Sequence, residues 1–311
     1  MIRLRGIILT IKKWLRKLRL NQTTKKEEEQ MKKIIVKAPA KVNLTLDVVE
    51  KTRKYHAIKT LVASIDLCDE ITIKDRKDRR INLTVKGIPM DCEVTENNAY
   101  KAAKAFMDKF STMGADIKIV KNIPLSSGLG GSSADTAGVL KGMKELYNLD
   151  CDLTPLANTL GSDTAYMLDG GFAVLEGRGE KITKKQIDTV IYFVIIAIEQ
   201  GVSAKESYLE FDKQKKTYKQ ATDTAIKSLE LKEYEFFKSC ISNHLYNASI
   251  KLAPEIVISK SNLERAGATA VTMSGSGSSV IGVFFDKKER DNAYRKLAPL
   301  YGDKVIRAQT I

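Results

Sequence analysis

The stretch with the clearest chemical potential is Asn122 to Leu140, NIPLSSGLGGSSADTAGVL. Pro124, Leu125, Ser126, Ser127, Gly128, Leu129, Gly130 and Gly131 form a loop of mostly small side chains. From Ser132 and Ser133 the pattern turns helical, with Ala134, Ala137, Val139 and Leu140. Glycines put no Cβ between the backbone and a ligand, and a helix start adds unpaired N–H groups and positive dipole character. Together these make a phosphate cradle; the plain alternative is a flexible loop capped by serine. The stretch follows Ile117, Ile119 and Val120, where a strand hands over to a helix. It has neither the Lys-Ser/Thr of a P-loop nor the third glycine of a dinucleotide fingerprint, so a phosphate bound here implies a different fold.

Two further places hold charged or polar groups in apolar company. Asp163 stands among small residues in Leu160 to Tyr166, just before Met167 and Leu168, either as a helix N-cap or as a functional carboxylate. Lys41, Asn43, Thr45 and Asp47 alternate with Val42, Leu44, Leu46 and Val48, which places the polar set on one face of a strand. On an edge strand that face is solvated by default. A second small-residue loop, Met273 to Ser279, runs directly into the apolar Val280 to Phe285.

Around these the chain reads as alternating helices and strands. The spacing predicts strands over 58–67, 71–73, 81–85, 172–175 and 190–198, the last a buried one because it is continuously apolar. It predicts helices over 98–110, from the glycine loop to about Tyr147, and over 155–160, 205–209, 218–229 and 234–245. A chain of 311 residues, 43% hydrophobic, has length for about two domains, and the alternation points to a two-domain α/β or α+β protein.

Composition removes several function classes. The formal charge is +14, but residues 1–30 hold nine Lys and Arg against three Glu, and the remainder intersperses 43 basic with 35 acidic side chains. That suits a protein handling anions, and no basic patch interleaved with aromatics argues for nucleic acid. Cys68, Cys92, Cys151 and Cys240 form no CxxC and read as reduced cytoplasmic cysteines. His56 and His244 are the only histidines, too few for a His-rich metal site and a thin basis for a Ser-His-Asp hydrolase. No run reaches the roughly 18 apolar residues of a membrane span. Ile7, Ile8, Ile11, Trp14, Leu15 and Leu18 lie at helical spacing among Lys and Arg, a basic amphipathic helix suited to an anionic membrane. A targeting segment, though not Ser-rich, is a second reading; the third, favoured because Lys25 to Glu29 is encoded by purine-rich codons just ahead of Met31, is that residues 1–30 are an extension outside the native protein and Met31 the start.

Three segments, KAPAKVNLTLDV (Lys37 to Val48), IPLSSGLGGSSADTAG (Ile123 to Gly138) and TMSGSGSSVIGVF (Thr272 to Phe284), resemble in order the three motifs of the GHMP kinases. Tyr55-His56, LGSDTAYML, EGRGEKI and GVSAKESY narrow the likeness to a branch whose acceptor is a cytidylyl-bearing alcohol of isoprenoid precursor synthesis. The resemblance implies a ribosomal-protein-S5-like N-terminal domain (31–188), a ferredoxin-like C-terminal domain (189–311) and an active site between them. It also implies ATP and Mg²⁺ as cofactors, with no metal ligands assigned. Lys41 and Asp163 match the catalytic pair, Asp163 as base and Lys41 stabilising developing charge. Pro124 to Ala134 matches the ATP phosphate loop; Asn43, Tyr55, His56, Tyr208, Gly275 and Gly277 match acceptor-binding positions, with His56 and Tyr208 sandwiching the cytosine. Departures are Ser132 for a glycine, Ala134 for a serine, Arg53-Lys54 for Asp-Gly, Ala165 and Tyr166 for Pro and Phe, and Ala204 for Thr. The alternatives are a GHMP kinase for another small alcohol or phosphorylated metabolite, and a non-catalytic binding protein of the same fold.

Overall fold

The structure is a computed structural model, and it describes residues 32–53, 55–87, 93–214 and 218–311. The expectations for residues 1–30, Met31, Lys54 and Cys92 lie outside them. The chain begins with β1 (Lys33–Asn43), β2 (Thr45–Lys51), β3 (His56–Asp75) and β4 (Ile81–Lys86). Next come α1 (Asn98–Phe110), β5 (Ala115–Val120), α2 (Gly131–Leu146), α3 (Thr154–Leu160), α4 (Thr164–Asp169), β6 (Ala173–Gly177) and β7 (Lys181–Lys184). The remainder is β8 (Tyr192–Ile196), α5 (Ala204–Phe211), α6 (Thr222–Glu230), α7 (Tyr234–Cys240), β9 (Ser242–Asn243), α8 (Tyr246–Leu252), α9 (Glu255–Ala266), β10 (Ala270–Met273), β11 (Val280–Phe284), α10 (Lys287–Tyr301) and β12 (Val305–Gln309).

β3 organises the first sheet. Its N-terminal half lies between β2 and β6, and its C-terminal half between β1 and β5, with β4 parallel to β5 outside. Two strands were expected over 58–67 and 71–73; the structure has one. The intervening Asp69 does not break it, because that carboxylate is buried and accepts the backbone N–H groups of Asn122 at 2.6 Å and Ile123 at 2.9 Å. The second sheet is antiparallel in the order β10-β11-β8-β12, with α9 and α10 packed against it, which is the ferredoxin-like arrangement. In β8 the period of two sends Phe193 and Ile195 to one buried cluster and Val194 and Ile196 to another, so its run is apolar throughout.

Residues from the C-terminal part return to the first core. Ile226, Leu229 and Phe237 lie in the same buried cluster as Leu61 and Phe106, and β9 pairs in parallel with Thr45 and Leu46 of β2. That pairing ends the helix expected over 234–245: it stops at Cys240, and Ile241 turns extended. The helix expected from Tyr218 starts only at Thr222, because its N–H groups are satisfied from far away. Asp47 Oδ2 accepts Ala221 N at 3.0 Å and Thr222 N at 2.9 Å. The solvated-face expectation for Lys41, Asn43, Thr45 and Asp47 also fails, since all four are buried.

Candidate active site

Between Pro39 and Lys41 the register of β1 against β3 slips, so that Pro39 faces Cys68 while Lys41 faces Ser64. Such an irregularity frees backbone groups and re-aims side chains. Here the Lys41 N–H leaves the ladder and donates to the Leu129 carbonyl at 2.9 Å, pinning the glycine loop to β1. The Lys41 ammonium donates to Asn43 Oδ1 at 2.5 Å and lies 3.4 Å from Asp163 Oδ2. Asn43 is held in turn: its Nδ2 donates to Thr60 Oγ1 at 2.8 Å, and that hydroxyl donates to the Thr45 carbonyl. The Lys41 side chain is 6% exposed and that of Asp163 30%, so the amine is buried and the carboxylate is open to solvent on one side.

Asp163 occupies the N-cap position of α4, but its side chain makes no capping hydrogen bond. The capping alternative is thereby set aside, and the carboxylate is directed to Lys41. Gly128 and Gly130 both take positive φ, at +76° and +75°. A Cβ on Gly128 would stand 2.1 Å from the Ser274 carbonyl oxygen, and one on Gly130 2.4 Å from Met167 Cε and 3.1 Å from Lys41 Cγ. These positions are closed to any side chain by contact as well as by conformation.

The loop lines a cavity of 300 Å³, with Lys121, Pro124, Leu125, Ser126, Ser127, Gly128, Gly130, Gly131, Ser132 and Ser133 in its wall. Leu129 and Ala134 are buried, so their contribution is through the backbone; Ala134 N donates to Gly130 O at 2.9 Å as α2 begins. The Ser132 hydroxyl accepts from Asn98 Nδ2 of α1 at 2.8 Å, which accounts for a side chain where the family has glycine. The second small-residue loop is stitched to the first. Ser274 Oγ donates to Gly128 O at 2.9 Å, and Ser279 N donates to Ser127 O at 3.1 Å. Gly275 and Gly277 both approach Gly128 in this contact.

Beneath the loop lies a buried cluster that the sequence reading missed. Lys121 Nζ donates to Asp135 Oδ2 at 2.7 Å and to Asp69 Oδ2, leaving Asp135 Oδ1 without a partner. Burial, with the Asp69 charge adding to it against the pull of Lys121, pushes the Asp135 carboxyl up to about 7. The available signal was position, since Lys121 directly precedes the loop and Asp135 lies in the first turn after it.

His56 and Tyr208 stack on each other, with centroids 4.8 Å apart and planes 12° apart. That spacing leaves no slot between them, so the sandwich of a base by these two rings is not formed. His56 Nε2 lies 2.7 Å from Asp212 Oδ1, and Asp212 also accepts from Lys51 Nζ at 2.7 Å. Burial pushes the Tyr208 phenol up to about 12, with the Asp163 charge adding to it, so the ring is a neutral surface within electrostatic reach of Asp163. Tyr55 is exposed and lines a separate 580 Å³ cavity with Gly161, Ser162 and Arg178.

This fold and this loop pair define a GHMP kinase. Residues 97–174 match the GHMP kinases N terminal domain and residues 225–303 the GHMP kinases C terminal domain. A 4-diphosphocytidyl-2-C-methyl-D-erythritol kinase of Clostridium beijerinckii is 36% identical over 277 residues, 87% of this chain and 98% of that one. One of Acetivibrio thermocellus is 36% identical over 86% of this chain and 95% of its own. A crystal structure of 4-(cytidine 5'-diphospho)-2C-methyl-D-erythritol kinase superposes with a TM-score of 0.76 at 27% identity, covering 89% of this chain and 98% of that one. A homoserine kinase from Cytophaga hutchinsonii, at 19% identity and a TM-score of 0.70, shares the fold. The chain belongs, within the GHMP kinases, to the 4-diphosphocytidyl-2-C-methyl-D-erythritol kinase family, and is an ATP-dependent small-molecule kinase. No helix among the described residues is long and apolar enough to cross a membrane.

Proposed function

We infer that the protein transfers the terminal phosphoryl group of ATP to a hydroxyl of 4-diphosphocytidyl-2-C-methyl-D-erythritol, with Lys41 and Asp163 as the reacting pair. The observation that carries this is the 3.4 Å approach of Lys41 Nζ to Asp163 Oδ2, beside a loop whose Leu129 carbonyl is bonded to the Lys41 backbone. Phosphoryl transfer asks a protein mainly for positioning and charge neutralisation. Asp163 accepts the acceptor's hydroxyl proton as the new O–P bond forms and ADP departs. An ammonium has three donors; Asn43 takes one of those of Lys41, which fixes the amine to face Asp163 and the transferring group.

The loop 124–134 holds the triphosphate through the backbone N–H groups of residues 125–133, with the dipole of α2 behind them. Among the described residues no cluster of three or more His, Cys, Asp or Glu forms a metal cage. Mg²⁺ needs none, because it is commonly held by substrate phosphates, waters and one or two protein oxygens. The Ser133 hydroxyl and the Asp163 carboxylate are the oxygens this site offers it, and the ion supplies neutralisation of phosphate charge. Tyr55, His56 and Tyr208 hold the cytosine, the base packing on the His56–Tyr208 pair rather than between its rings. The protein acts as a cytoplasmic small-molecule enzyme.

A coupled ADP-release assay across acceptors with and without the cytidylyl group tests this reading. Turnover confined to the cytidylyl-bearing alcohol is expected. Equal turnover of the free alcohol phosphate, or turnover of neither, refutes it.

A further inference from the structure

The acceptor is tripartite: a hydroxyl that must reach Asp163, a cytosine that meets Tyr55, His56 and Tyr208, and a diphosphate joining them. Two negative charges therefore lie between the catalytic carboxylate and the aromatic group, and nothing assigned so far meets them. The turn between β6 and β7 crosses this gap. Gly177 and Gly179 take φ of +73° and +111° on either side of Arg178. A Cβ on Gly179 would stand 3.3 Å from Ser162 O and 3.7 Å from Asp163 Oδ1, so the turn lies directly against the segment carrying the base.

Arg178 rises from that turn with its guanidinium carbon 5.8 Å from the centre of the Tyr55 ring. Both residues line the 580 Å³ cavity together with Gly161 and Ser162. The one carboxylate in that wall, Glu180, is spent on the backbone: its Oε2 accepts Arg178 N at 2.6 Å. The guanidinium makes no ion pair among the described residues. Lys51 of β2 and Lys59 of β3 are already engaged, Lys51 by Asp212, and Lys59 by Asp223 and Glu176. An exposed, unpaired guanidinium anchored on an aromatic ring is a donor fork free to take phosphate oxygens two at a time.

We propose that Arg178 binds the diphosphate of the acceptor and so selects alcohols linked to their base through that group. This rests on the acceptor reading given above, and it adds a specificity residue to it. Cytidine and cytidine diphosphate are the probes, as competitive inhibitors against the acceptor, with the unsubstituted protein, Arg178→Ala and Arg178→Lys. In Arg178→Ala the acceptor KM and the inhibition constant of cytidine diphosphate rise about 10- to 100-fold, the range of a charge-assisted hydrogen bond. The inhibition constant of cytidine, the KM of ATP and kcat stay within about twofold, and Arg178→Lys recovers part of the loss. If cytidine diphosphate binds Arg178→Ala as tightly as it binds the unsubstituted protein, or if cytidine weakens equally, the assignment is overturned while the acceptor reading stands. If neither compound competes with the acceptor in the unsubstituted protein, the acceptor reading fails and the proposal fails with it.

Discussion

Ser274 gives its hydroxyl hydrogen to the carbonyl of Gly128 at 2.9 Å and takes the backbone N–H of Asn43 at 3.2 Å. Three segments far apart in sequence therefore meet at one buried oxygen atom. The amine-bearing strand, the glycine loop and the last small-residue loop are held in mutual register by that atom.

Removing it has a defined effect. Ser274→Ala leaves the Asn43 N–H and the Gly128 carbonyl without this partner in a buried place, a loss of about 1–3 kcal/mol. Urea denaturation should show that loss, and ATP titration a weaker complex because the loop is no longer fixed. Unchanged stability together with unchanged ATP affinity contradicts the role.

The base assignment is tested by Asp163→Asn, which keeps the shape and removes the proton acceptor. Turnover should fall by roughly 10²- to 10⁴-fold, the usual contribution of general base catalysis. ATP binding, measured calorimetrically, should remain within a few-fold. A variant with near-normal turnover shows that the proton goes elsewhere.

Tyr208→Ala removes a stacking surface worth about 1–3 kcal/mol and leaves His56 without its ring partner. The acceptor KM should rise while the ATP KM hardly moves. Equal losses for both ligands indicate a general collapse of the cleft instead.

Asp135 supplies a pH dependence. Its carboxyl is pushed from 3.8 to about 7 in the folded protein, so it binds a proton more tightly folded than unfolded. The stability it contributes is full below about pH 4 and is lost as pH rises through about 7. Lys121 has a raised pKa as well, but its contribution is lost only in the alkaline range. Asp135→Asn keeps an acceptor for Lys121 and cannot ionise. Its Tm relative to the unsubstituted protein should therefore climb between about pH 4.5 and about pH 8. A difference that stays flat over that interval removes Asp135 as the titrating group.

The parts of the fold visible in the sequence were those with local causes. Helix α1 was read at its observed limits because Asn97 caps it and Ala102, Ala103 and Phe106 repeat at helical spacing. β8 announced itself by being apolar on both faces. Where the cause is remote, the reading stopped short: α6 waits for Asp47 to cap it, and α7 is cut by the pairing of β9 with β2. α9, α10 and β12 were not read. In α10 the buried residues are only Arg290, Ala293 and Leu297, so a mostly charged stretch shows little apolar stripe.

The site divides in the same way. The glycine positions follow from backbone requirements that a sequence displays directly. The burial of Lys41 does not, because it depends on a register slip against β3 and on closure by the loop. Neither the Lys121 cluster nor the contact of Arg178 with Tyr55 is written in spacing, since each joins residues from separate strands and turns.

His56 opens β3, and Asp69, whose carboxylate takes the N–H groups of Asn122 and Ile123 at the base of the glycine loop, lies in the same strand. Between them the pairing changes hands: β6 borders β3 as far as Val62 and β5 from Glu70 onward, while the register of β1 slips opposite residues 65–67, so the strand is least held at its middle. On the proposed reading the two substrates are thus gauged against a single covalent ruler, whose give lies at that mid-strand slip.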